Sequence, residues 1–122
     1  MRRALPLLAL AWLASPAGAE PWTCGFTVQC VTGAPCDESA FDVEVLAADH
    51  EGALFLSGVT GVSLLSRLTP GGTLPATYAS AGEDGLAELL TIEADLTALM
   101  TVHFFDGTAR AATYFGTCEE LR

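Results

Sequence analysis

Four cysteines, Cys24, Cys30, Cys36 and Cys118, constrain this 122-residue chain more than any other feature, because they connect its first third to its end. An even number of cysteines in a short exported chain reads as a disulfide framework formed in an oxidising compartment. Zinc is the poorer reading. Structural zinc sites pair their ligands as C-x2-4-C, whereas these cysteines are separated by five, five and eighty-one residues. The sequence also lacks a CxxC redox motif and a C-x-x-C-H haem attachment site.

Strand geometry narrows the pairing. Apolar and polar residues alternate from Trp22 to Cys30, which predicts a strand with Trp22, Cys24, Phe26, Val28 and Cys30 on one face. At ~3.3 Å per residue, Cys24 and Cys30 then lie about 20 Å apart, beyond the ~7 Å Cα limit for a bridge. Of the two pairings left, the preferred one joins Cys30 to Cys36 around Thr32-Gly33-Ala34-Pro35 and Cys24 to Cys118, clasping the first strand to the last.

The start of the chain supplies the export signal that this framework needs. Arg2 and Arg3 form a charged region, Ala4 to Leu13 an apolar stretch, and Ala17-Gly18-Ala19 a small-residue cleavage site. Residues 1–19 are therefore expected to be a secretory signal peptide, and residues 20–122 a single small domain in the periplasm or outside a bacterial cell. The apolar stretch is shorter than the ~20 residues of a membrane-spanning helix, and no later run is longer, so no membrane span is expected. The Pro21-Trp22-Thr23 context before Cys24 lacks the small residues that a lipidated cysteine requires.

Charge then restricts the partners. Fifteen acids oppose five arginines, with no lysine, for a formal net charge of −10. Removing residues 1–19 takes two arginines and no acid, leaving 103 residues with a net charge of −12. Nucleic acid binding needs a basic face that this chain cannot build. A cationic protein partner is permitted; otherwise such a surface keeps an exported protein soluble and monomeric. An apolar fraction of 51% with 16% charged residues excludes a disordered acidic tail.

The remainder reads as short strands between turns. Phe41, Val43 and Val45 alternate with Asp42 and Glu44; Ala53 to Leu56, Val62 to Leu68 and Thr73 to Tyr78 follow, the last assigned to an edge because it contains Pro75. Between residues 86 and 102, Leu86, Leu89, Leu90, Glu93, Leu96 and Met100 also fit helical spacing, but Thr91, Thr97 and Thr101 favour two strands, Leu86 to Glu93 and Thr97 to Phe105, broken at Ala94-Asp95. Thr97 to Phe105 and Thr108 to Cys118 flank Asp106-Gly107, which predicts a hairpin with a two-residue type I′ turn. The expected fold is all-β, an antiparallel meander of about seven or eight strands closed into a barrel or flattened into a sandwich, stapled by two disulfides.

Catalytic chemistry is sparse. The sequence has no Gly-rich phosphate loop, G-x-S-x-G elbow, H-E-x-x-H or EF-hand spacing. His50, in Asp49-His50-Glu51, lacks a placed third ligand and reads as a solvated loop, so neither a metal nor a cofactor is expected. His103 and Ser80 are the candidate binding residues; a Ser-His-Asp triad can be composed from His103 and any of Ser57, Ser63, Ser66 or Ser80, which makes it uninformative. Asp42 and Glu44, about 7 Å apart on one strand face, have the separation of a glycosidase pair but the pattern of solvated carboxylates. Trp22, Phe26, Tyr78, Phe105, Tyr114 and Phe115 are expected to pack inside a small β core, and any that surface together would form a contact patch.

Two resemblances bear on function. Trp22-Thr23-Cys24 with Cys30 and Cys36, and Ala112 to Glu119 around Tyr114-Phe115-Gly116-Thr117-Cys118, resemble small secreted alphaproteobacterial proteins of unknown function, which implies a periplasmic β domain. Ala79-Ser80-Ala81-Gly82 is similar to the Ser-Ala-Ser-Gly loop of the membrane-bound lysozyme inhibitor of C-type family, which are small periplasmic β-barrels. Glu83-Asp84 stand here where that family has a basic residue and a tyrosine. The sequence thus points to a non-catalytic binding or interaction module, with a lysozyme inhibitor and a small hydrolase as the alternatives.

Overall fold

The computed structural model describes residues 19–47, 52–59, 61–81 and 86–121. The expected signal segment up to residue 18 and the Asp49-His50-Glu51 loop lie outside them. Eight antiparallel strands follow one another round a closed barrel: β1 (Trp22–Val31), β2 (Asp37–Ala47), β3 (Leu54–Gly58), β4 (Gly61–Arg67), β5 (Ala76–Ser80), β6 (Glu88–Ile92), β7 (Thr97–Phe105) and β8 (Ala109–Glu120). β8 returns to pair with β1, from Trp22 opposite Glu120 to Val31 opposite Ala112.

An eight-stranded barrel is just wide enough for its interior to be filled by side chains. Trp22, Phe26, Val45, Tyr78, Leu90, Ile92 and Met100 fill this one, each at most 1% exposed. Side chains alternate along β7: Met100 is buried, and Val102 and Phe104 share its inner side, while Leu99 and Phe105 face outward.

Both preferred disulfides are formed, Cys24–Cys118 between β1 and β8 and Cys30–Cys36 across the turn after β1. The predicted single face of β1 is corrected. The ladder shifts register between Phe26 and Val28, where Phe26 opposes Gly116 but Val28 opposes Phe115. This bulge at Thr27 reverses the alternation beyond it, because the extra residue turns the next side chain to the other face. Gln29 and Val31 therefore face inward with Tyr114 and Ala112, while Val28 and Cys30 point out.

Two turns also differ from expectation. The β7–β8 connection closes at Phe105 opposite Ala109, a three-residue loop in which only Gly107 has positive φ (102°). Asp106 keeps an ordinary φ, so the loop is the longer type rather than I′. Pro75 precedes β5 instead of lying within it, so its missing N–H removes nothing from the ladder and does not make β5 an edge.

Candidate functional site

The barrel interior offers little room. A cavity of about 10 Å³ lies between Phe41, Gly58, Gly61, Ser63, Glu88 and Met100, the size of a single water site. The Glu88 carboxyl faces it with Oε1 unpartnered; burial pushes its pKa up, and a hydrogen bond with Ser80 only partly opposes this.

The larger hollows are on the outer wall, over β8, β1, β2 and β3. One of about 540 Å³ is floored by Gly25 and bounded by Thr23, Asp42, Leu96, Thr117 and Glu119. A second, about 580 Å³ and sharing Thr23 and Asp42, continues over Glu44, Ser57 and Val59.

Strand register builds this surface in three rows. In the lowest, Glu119, Thr23, Glu44, Ser57 and Val62 oppose one another in turn across β8, β1, β2, β3 and β4. The middle row runs Thr97, Thr117, Gly25, Asp42. The upper row runs Leu99, Phe115, Val28, with the two aliphatics and the ring 38–45% exposed. The floor is low because Gly25 has no side chain; a Cβ there would lie 3.2 Å from Asp42 Oδ1. Leu96, at φ +72°, accepts the Cys118 backbone N–H at 2.9 Å and closes one side of the hollow. That is a backbone region L-residues seldom adopt.

The three rows contain carboxylates and no base. Arg67 is taken up by Glu20 at one end of the barrel, and Arg110 by Asp106 and the Thr32 carbonyl at the other. Asp42, Glu44 and Glu119 thus form a negative concavity beside an apolar row, able to receive a cationic side chain flanked by an apolar one.

The candidate residues Ser80 and His103 are not brought together. Ser80 shares the inner side of β5 with Tyr78 and bonds Glu88, whereas His103 is exposed on the outer side of β7 opposite Ala111. Of the aromatics expected in the core, Trp22, Phe26 and Tyr78 are buried and Tyr114 packs against Phe41 at 4.6 Å, whereas Phe105 and Phe115 remain outside. No family model, curated protein or solved structure matches the chain. The disulfides indicate an oxidising, extracytoplasmic environment. Among the described residues no helix is long and apolar enough to cross a membrane.

Proposed function

We propose that this protein is a non-catalytic binding module, working in the periplasm or secreted from a bacterial cell, that docks a cationic protein on the outer face of β8–β1–β2–β3. The observation carrying this reading is the hollow at Gly25, with Asp42 and Glu119 on its walls, Glu44 beside it and the Leu99–Phe115–Val28 row above. Protein interfaces combine an apolar centre with a polar rim, and opposite charge sets approach rate and specificity. A lysine or arginine of the partner would enter the hollow while an apolar neighbour covers Phe115.

Calorimetric titration with a C-type lysozyme as the cationic probe tests this at low salt. Binding is expected to weaken as salt rises and to fall ~tenfold or more in a D42N/E44Q/E119Q variant, through the loss of two to three charge contacts. Equal binding by that variant would remove the reading. Lysozyme inhibition is the second reading, favoured by the same electrostatics. Because Ser80 points into the barrel against Glu88, inhibition would run through the acidic row, and muramidase activity unchanged at micromolar protein would eliminate it.

A further inference from the structure

The two disulfides meet solvent very differently. Cys24 and Cys118, on the core side of β1 and β8, are 1% and 4% exposed. Cys30 is half-buried and Cys36 exposed, on the outer face of the β1–β2 hairpin, one step beyond Gln29 opposite Asp37. Thiol–disulfide exchange requires a thiolate to reach one of the sulfurs, so exposed bridges are the labile, regulatory or catalytic ones. The hairpin is also held without its bridge. β1 continues along β8, with Cys30 opposite Thr113 and Val31 opposite Ala112. Beyond the strand, Thr32 donates its backbone N–H to the Ala111 carbonyl at 3.0 Å, and its hydroxyl accepts the Ala111 N–H at 2.9 Å. Arg110 donates to the Thr32 carbonyl at 3.1 Å. Opening Cys30–Cys36 therefore leaves a turn still bonded to β8, whereas a reductant reaches Cys24–Cys118 only when the core is exposed.

We propose that Cys30–Cys36 is a thiol–disulfide exchange site, opened and closed in the folded barrel by a dithiol. A thiolate of the dithiol attacks the exposed Cys36 Sγ. The new bond joins it to Cys36, the Cys30–Cys36 bond breaks, and Cys30 leaves as a thiolate. The second sulfur of the dithiol, as a thiolate, then attacks the first, which closes the reductant's own disulfide and releases Cys36. Two electrons pass to the protein, the two protons of the dithiol end on Cys30 and Cys36, and the reverse steps close the bridge. Neighbouring charge selects among thiols. Asp37 is adjacent to Cys36, and Glu38, opposite the outward Val28, shares its outer face; both carboxylates are exposed. They oppose the approach of an anionic thiol, so the site takes an uncharged or cationic dithiol. This inference is independent of the cationic-partner reading, whose residues lie on another part of the wall.

Timed reduction of the purified protein by dithiothreitol, quenched by alkylation and read by peptide mapping, tests it. Cys30 and Cys36 are expected to be alkylated at least ~tenfold sooner than Cys24 and Cys118, with the circular dichroism spectrum unchanged while they open. Added disulfide oxidant should close the bridge again without refolding. A thioredoxin-type reductant whose second cysteine is replaced by serine cannot complete the second step, so it should be trapped as an adduct on Cys36. Cationic cysteamine should open the bridge faster relative to anionic glutathione at ~0.05 M NaCl than at ~0.5 M, as screening removes the repulsion by Asp37 and Glu38. Opening of both bridges at one rate, or loss of the fold in step with the opening of Cys30–Cys36, would overturn the proposal. An adduct on Cys30 would overturn the assignment of the attacked sulfur, and a cysteamine-to-glutathione ratio that ignores salt would overturn the selection by charge.

Discussion

Glu20 lies at one end of the barrel with a side chain only 7% exposed, ion-paired with Arg67 and 2.5 Å from the Tyr78 hydroxyl that donates to it. Burial alone would raise its pKa; hydrogen bonds from Tyr78 and Arg67 outweigh that and hold it below the usual carboxylate range. Burial and the same carboxylate push Tyr78 well above the usual phenol range. A carboxylate depressed in the folded state stabilises fully above its unfolded pKa, and the contribution disappears as pH falls through the folded value. Glu20→Gln is therefore expected to lose about 1–3 kcal/mol in urea denaturation at pH 7, and to lose less as the titration is repeated towards acid. Glu88 has the opposite slope. Its raised pKa favours the fold at acid pH and opposes it as pH rises through the folded value, so Glu88→Gln should gain a few tenths of a kcal/mol at pH 7, solvent screening keeping the effect small, and nothing at pH 4. A third site is steric. A Cβ on Gly116 would lie 1.9 Å from the Gly25 carbonyl oxygen and 2.6 Å from Phe26 Cα, so Gly116→Ala must displace backbone in the β1–β8 ladder and is expected to lower stability by about 3 kcal/mol. None of these three positions was legible in the sequence: Arg67 and Tyr78 are 47 and 58 residues from Glu20, and a glycine pressed against another strand looks like any other.

The strands were more legible than the contacts between them. The strand Thr97–Phe105 and the break at Ala94-Asp95 are local signals, and each lies where the residues put it, whereas Asp106-Gly107 marks the place of the turn but not its three-residue loop. The bulge at Thr27 leaves no such signal, since a threonine in a strand reads the same with or without one extra residue in the ladder. Its effect is to separate the roles of the two disulfides: Cys24 faces the core and Cys30 faces out. The bridges also span very different lengths, 94 and 6 residues. In the chain-entropy account the long closure removes about 4–5 kcal/mol of unfolded-state freedom and the short one about 2. Chemical denaturation should show that difference, with a C24S/C118S variant falling well below a C30S/C36S variant.

At the scale of the whole molecule, the all-β class was legible because turns recur every few residues and few segments are long enough for helices. The acidic site was not, because Glu119, Thr23 and Glu44 become neighbours only through the register of three strands, two of them nearly a hundred residues apart in sequence. The uncompensated charge also acts on stability. Carboxylates on one small barrel repel one another, and the Debye length falls from about 10 Å at 0.1 M to about 3 Å at 1 M salt. The melting temperature is therefore expected to rise with sodium chloride over that range, in calorimetry at neutral pH; a fall would mean that the Glu20–Arg67 pair outweighs the repulsion.

The pairing of β1 with β8 places Trp22 directly opposite Glu120, so the polypeptide enters and leaves the barrel at one point. Such a domain can be spliced into a surface loop of another protein without stretching its host. It can equally be joined end to end and reopened elsewhere, and the Val59 hairpin tip is the natural place for new termini.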